Sequence, residues 1–217
     1  MKKTLIAVPS MDFVPIQFTA SLMLMRKPTE CIFDTEVGSL IYHARNRLAH
    51  SAIKNETDYV LWLDSDMTFN PDAFERLYAH IEAGADMVTG LYFRRVPPFS
   101  PVLFDKIEFS ESNIISYSEF KEIPDKPFTV GACGFGCVLM KTDVLFDLMA
   151  EIKARKARGD LSFGASMFEP KGNTGEDIAF CWRARQCGYE IICDPSIPFG
   201  HVGHTVITRQ FWEANKD

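Results

Sequence analysis

The chain has 217 residues, 47% of them hydrophobic and 24% charged, a composition that suits a soluble globular protein with a sizeable buried core. Its formal net charge of −6 argues against a large nucleic-acid footprint, which needs clustered Lys and Arg, while leaving room for a local basic groove. No Ser/Gly-rich linker, charge block, low-complexity stretch or internal repeat divides the chain, so one domain spanning residues 1–217 is expected.

Met1-Lys2-Lys3 and the apolar residues after it look briefly like a signal peptide. Pro9, Ser10 and Asp12 cut that run to about half the length of an h-region, and a first strand at Leu5–Val8 is the better reading. No run approaches the roughly 20 apolar residues of a membrane span, so integral membrane association is not expected. The six cysteines lack both a secretory signal and a disulfide framework, which points to reduced thiols in a cytoplasmic protein.

Cys31-Ile32-Phe33 reads as a second strand, and Leu40, Ile41, Ala44, Leu48, Ala52 and Ile53 recur at helical spacing with Arg45 and Asn46 beside the apolar stripe. Tyr59-Val60-Leu61-Trp62-Leu63 is the strongest buried-strand signal and stops at Asp64. Asn70, Pro71 and Asp72 then mark a helix start, with Phe74, Leu77, Tyr78 and Ile81 as its apolar face and Gly84 as its close. Asp86–Thr89 is the next strand. This alternation predicts an α/β fold with a mostly parallel central sheet flanked by helices.

The second half is less regular. Extended pieces are expected at Val102–Phe104, Ile114–Tyr117 and Val138–Met140, helices from Asp143 to about Lys153 and from Gly175 to Gln186, and a strand at Glu190–Cys193. Residues 158–175 hold four glycines and few apolar anchors, which predicts a mobile active-site loop.

Asp64 and Asp66 stand immediately after the buried strand. Ligands of open α/β sheets bind at the carboxyl ends of strands, and alternation lets the two carboxylates face one side. Hard oxygen donors there suit Mg2+ or Mn2+ with phosphate oxygens and water; the competing reading is a solvated strand end. Glu176 and Asp177 open a helix, where Thr174 and Asp177 resemble a capping box and acids offset the helix dipole; a catalytic role is the other reading. Cys181, Cys187, Cys193, His201 and His204 do not match the spacing of a paired zinc site.

The segment from Tyr59 through Asp64-Ser65-Asp66-Met67, followed by Asn70-Pro71-Asp72, resembles the metal-binding segment of GT-A fold glycosyltransferases, closest to small bacterial and bacteriophage members similar to family 2. Ala44-Arg45-Asn46, Gly90–Arg95 with Pro97-Pro98, Gly134-Phe135-Gly136, Gly175-Glu176-Asp177 and Gly200-His201 follow in family order, so the resemblance covers most of the chain. It implies a GT-A enzyme moving a sugar from a nucleoside-diphosphate sugar, a UDP-sugar by preference, to an acceptor hydroxyl with inversion.

In that resemblance Asp66 binds the metal directly, and Asp64 contacts the ribose or reaches the metal through water. His201 completes the shell and favours Mn2+ over Mg2+, with His204 in reserve. Asp177 is the general base, and Glu176 orients a hydroxyl. Pro9, Arg45, Ser65 and Arg94 fall on the donor side, Arg45 as a phosphate partner whose alternative is a solvated helix face. Gly131–Gly136 is read as a tight loop that lets a sugar approach the backbone, or as a plain turn. A retaining enzyme, a sugar nucleotidyltransferase and a non-catalytic nucleotide-sugar-binding module are the alternatives. The nucleotidyltransferase is disfavoured by Pro9-Ser10-Met11-Asp12-Phe13, where it needs a Gly-rich basic loop. The acceptor class (saccharide, protein, lipid-linked or modified nucleobase) and the oligomeric state stay open.

Overall fold

A computed structural model describes residues 3–109, 115–120, 122–203 and 206–215. In chain order the elements are β1 (Thr4–Ser10), α1 (Ile16–Leu24), β2 (Cys31–Val37), α2 (Ile41–Lys54), β3 (Tyr59–Leu63), β4 (Met67–Phe69), α3 (Ala73–Glu82) and β5 (Met87–Leu91). They continue with β6 (Leu103–Phe109), β7 (Ile115–Glu119), β8 (Phe128–Val130), β9 (Ala132–Cys133), β10 (Cys137–Lys141), α4 (Thr142–Ala157), α5 (Glu176–Gln186), β11 (Ile191–Val202), β12 (Val206–Ile207) and α6 (Arg209–Glu213). Among the described residues no helix is long and apolar enough to cross a membrane.

The main sheet runs β12-β11-β5-β10-β3-β1-β2, with β4 and β8 also paired to β11. β2, β3 and β1 are parallel, as are β5 and β11, and β10 is inserted antiparallel between β3 and β5. Strand alternation divides the core. Val60 and Trp62 of β3 pack on one face with Leu48 of α2, Leu145 of α4 and Phe180 of α5; Leu61 and Leu63 pack on the other with Phe18 of α1 and Phe74 of α3. Both faces of the central strands are covered, so β3 is apolar throughout and β5 is buried throughout.

Several expectations change. α3 begins at Ala73, and Asn70 contributes its backbone carbonyl to the first turn rather than a side-chain cap. The Thr174–Asp177 capping box does not form: Thr174 Oγ1 donates to Lys171 O, and Asp177 Oδ1 accepts from the N–H of Ile178. Residues 158–175 are anchored rather than loose. Phe163, Met167 and Phe168 are buried, Arg183 donates to Phe163 O at 2.6 Å and Met167 O at 3.1 Å, and Asn46 Oδ1 accepts from Phe168 N–H. Phe168 stacks on Phe180 at 4.4 Å and meets Trp62 and Phe135 edge-on, so Phe163, Met167 and Phe168, spread along that segment, were the missing anchors.

Candidate active site

The carboxyl ends of β1 and β3, the start of α2 and the N-terminus of α5 converge on a cavity of about 350 Å3. It is lined by Pro9, Ser10, Arg45, Asp64, Ser65, Asp66, Arg95, Glu176, Asp177 and His201, among others. The turn after β3 is held by Asp64 N–H to Gly136 O and Met67 N–H to Asp64 O, both at 3.2 Å. Asp66 is then brought to the far end of the chain by β4 pairing antiparallel with β11, and Val202 N–H donates to Asp66 O at 2.8 Å.

Arg45 lies at the centre of the acids. It is 3% exposed and buried, not beside the stripe on a solvated face. Its Nη2 is 2.8 Å from Asp64 Oδ1 and its Nη1 3.1 Å from Glu176 Oε1, while its Cζ sits 5.2 Å from the centroid of the Phe135 ring. Burial works against its charge, but Asp64, Glu176 and Asp177 outweigh that and raise its pKa further. Burial also raises the pKa of both Glu176 and Asp177 from their ordinary values, against the pull of Arg45.

At the other end, Asp66 Oδ2 is 3.3 Å from His201 Nε2 and 2.5 Å from Arg95 Nη1. Burial disfavours the Asp66 charge, yet His201 and Arg95 outweigh it and lower its pKa. His201 Nδ1 donates to Phe93 O at 2.9 Å and its ring meets Tyr92 edge-on, so Nε2 faces Asp66; burial works against the imidazolium, yet Asp66 outweighs it and raises the pKa of His201. That orientation suits a metal-binding imidazole, whose other nitrogen commonly donates to a carbonyl. Carboxylate and imidazole donors 3.3 Å apart fit neighbouring positions around one divalent cation. Among the described residues there is no group of three or more His, Cys, Asp or Glu that could hold a metal ion. Asp64 is turned toward Arg45. His204 lies outside the described residues.

The polar lining is receptive to a ligand: Ser10 Oγ is buried on the cavity wall without a hydrogen-bond partner among the described residues. Arg94 is placed elsewhere. It lines a separate cavity of about 260 Å3 with Tyr117, Asn173 and Thr174, its Nη2 3.4 Å from Glu119. Asp177 lines both cavities.

The Gly131–Gly136 stretch does not open a path to a sugar. Cβ atoms at Gly134 and Gly136 would collide with the buried Tyr92 phenol, whose oxygen accepts from Gly136 N–H at 3.1 Å. These glycines make room for Tyr92 beneath the site. Tyr92 was the residue least visible in sequence, because a site-supporting tyrosine at the end of a strand is indistinguishable from a core aromatic. The six cysteines are free thiols, with Cys133, Cys137, Cys181 and Cys193 buried.

A search of curated proteins finds no match. Among solved structures, A197 from STIV is similar over 93% of this chain and 86% of that one, with a TM-score of 0.62 at 18% identity, a likeness of fold. The model of glycosyl transferase family 2 matches residues 38–146, the stretch that carries Arg45, Asp64, Asp66 and Arg95. With half of its length matched and the GT-A architecture built around those residues, the chain belongs to glycosyl transferase family 2.

Proposed function

We propose that this chain is a metal-dependent, inverting hexosyltransferase that uses a UDP-sugar donor and an acceptor hydroxyl. The observation that carries the reading is the position of Asp177, a partly buried carboxylate on the wall between two cavities. One cavity holds Arg45, Asp64, Asp66 and His201 and suits the donor; the other gives an acceptor access to the same carboxylate.

Asp66 and His201 would hold a divalent cation, Mn2+ in preference to Mg2+, which supplies charge stabilisation to the leaving diphosphate. Arg45 and Asp64 keep the donor end of the site in register, with Pro9, Ser10 and Ser65 along its wall. Asp177 takes the proton of the acceptor hydroxyl as that oxygen bonds to the anomeric carbon. The bond from that carbon to the diphosphate oxygen breaks, and its electron pair leaves with the nucleoside diphosphate. Glu176, held by Arg45, orients a hydroxyl beside it.

A thermal-shift screen of nucleotide-sugars with and without Mn2+ tests the donor half. Stabilisation by a UDP-sugar that requires the ion is expected; no ion-dependent stabilisation by any donor or nucleoside diphosphate overturns the reading.

A further inference from the structure

We infer that Arg95 holds the cation's place at Asp66 and turns to the donor diphosphate when that carboxylate is given over to the cation. The inference rests on the metal-dependent reading above. Two groups share Asp66 Oδ2, and they are held very differently. His201 is fixed from behind by Phe93 O and flanked by Tyr92. Arg95 has Asp66 as its one hydrogen-bond partner among the described residues, and its side chain is 53% exposed. A half-exposed ion pair of this kind is weakly held.

The Arg95 guanidinium and a cation compete for one oxygen and repel each other across it. Once displaced, Arg95 remains on the rim of the same cavity, which it lines together with an adjoining cavity of about 620 Å3. Its planar fork of donors matches phosphate oxygens. Arg95 therefore opposes uptake of the bare ion and favours uptake of ion and diphosphate together. This is a positive coupling between the two ligands, and such coupling is reciprocal.

The test is titration calorimetry of wild type, R95Q and R95K with Mn2+ alone, and with UDP in the presence of Mn2+. R95Q is expected to bind Mn2+ alone roughly three- to tenfold more tightly than wild type, and UDP with Mn2+ roughly tenfold more weakly. R95K, which keeps the charge, is expected to bind Mn2+ alone within about twofold of wild type. R95Q binding Mn2+ no more tightly than wild type, or R95K binding it as tightly as R95Q, overturns the proposal alone. A wild-type protein that takes up neither Mn2+ nor UDP overturns the functional reading and the proposal with it.

Discussion

Arg45 Nη2 lies 2.8 Å from Asp64 Oδ1, joining the buried start of α2 to the end of β3 beneath the candidate site. Replacing Arg45 with Met leaves Asp64, Glu176 and Asp177 without their shared counter-charge. A loss of about 3–5 kcal/mol in denaturant unfolding at pH 7 is expected. The deficit should shrink toward pH 4, where Glu176 and Asp177, already raised by burial, take up protons. A deficit that does not change with pH would mean that lost packing on Phe135, not charge, is responsible.

Asp177→Asn separates chemistry from stability. Turnover should fall about 10²–10⁴-fold through loss of the base. Stability should move the other way. Burial raises the folded-state pKa of Asp177, so its favourable contribution is complete below the unfolded value and is lost as pH rises through the folded one. The variant is therefore expected to melt above wild type at pH 7, with the gap closing below about pH 4. Equal melting temperatures at both pH values would contradict that sign.

The same burial sets the pH dependence of the wild-type reaction. The acid limb of kcat/KM is expected above the ordinary value of a free aspartate, since Asp177 must be ionised to accept a proton. A limb at or below the pKa of a free aspartate, near about 4, would remove Asp177 as the titrating base.

Gly134→Ala drives a Cβ into the Tyr92 phenol and to 2.7 Å from Val102 Cγ1. The overpacking should cost about 1–3 kcal/mol. Adding Tyr92→Phe removes the colliding oxygen, so the double variant is expected to be more stable than the two single losses sum to. Additive losses in that double-mutant cycle would contradict the collision.

Phe168→Ala tests the anchoring of residues 158–175. Removing a ring packed between Trp62, Phe135 and Phe180 should cost about 3–5 kcal/mol and open the segment to limited proteolysis. Cleavage there at the same rate in wild type and variant would restore the loose loop.

The reach of sequence reading depended on whether a feature was local. Tyr59–Leu63 announced itself because five consecutive apolar residues need cover on both faces, and Asp64 and Asp66 followed at its end. α1 was missed because Ile16–Leu24 carries no charge and only one buried residue, Phe18, so neither a charged face nor a buried stripe marks the period. β11 was read as four residues because Pro195 and Pro198 interrupt it, and the strand absorbs them through an irregularity between Asp194 and Pro198. Arg45 and Arg95 could be proposed as ligand contacts but not placed. What decides their surroundings is residues 19 to 131 positions away, namely Asp64, Asp66 and Glu176.

The most direct test of the account follows the anomeric proton by NMR while the protein turns over the UDP-sugar it binds, with Mn2+ and an accepted hydroxyl. The first-formed product should have the anomeric configuration opposite to that of the donor, and Asp177→Asn should suppress its formation. A product that retains the donor's configuration would contradict a single displacement with Asp177 as its base.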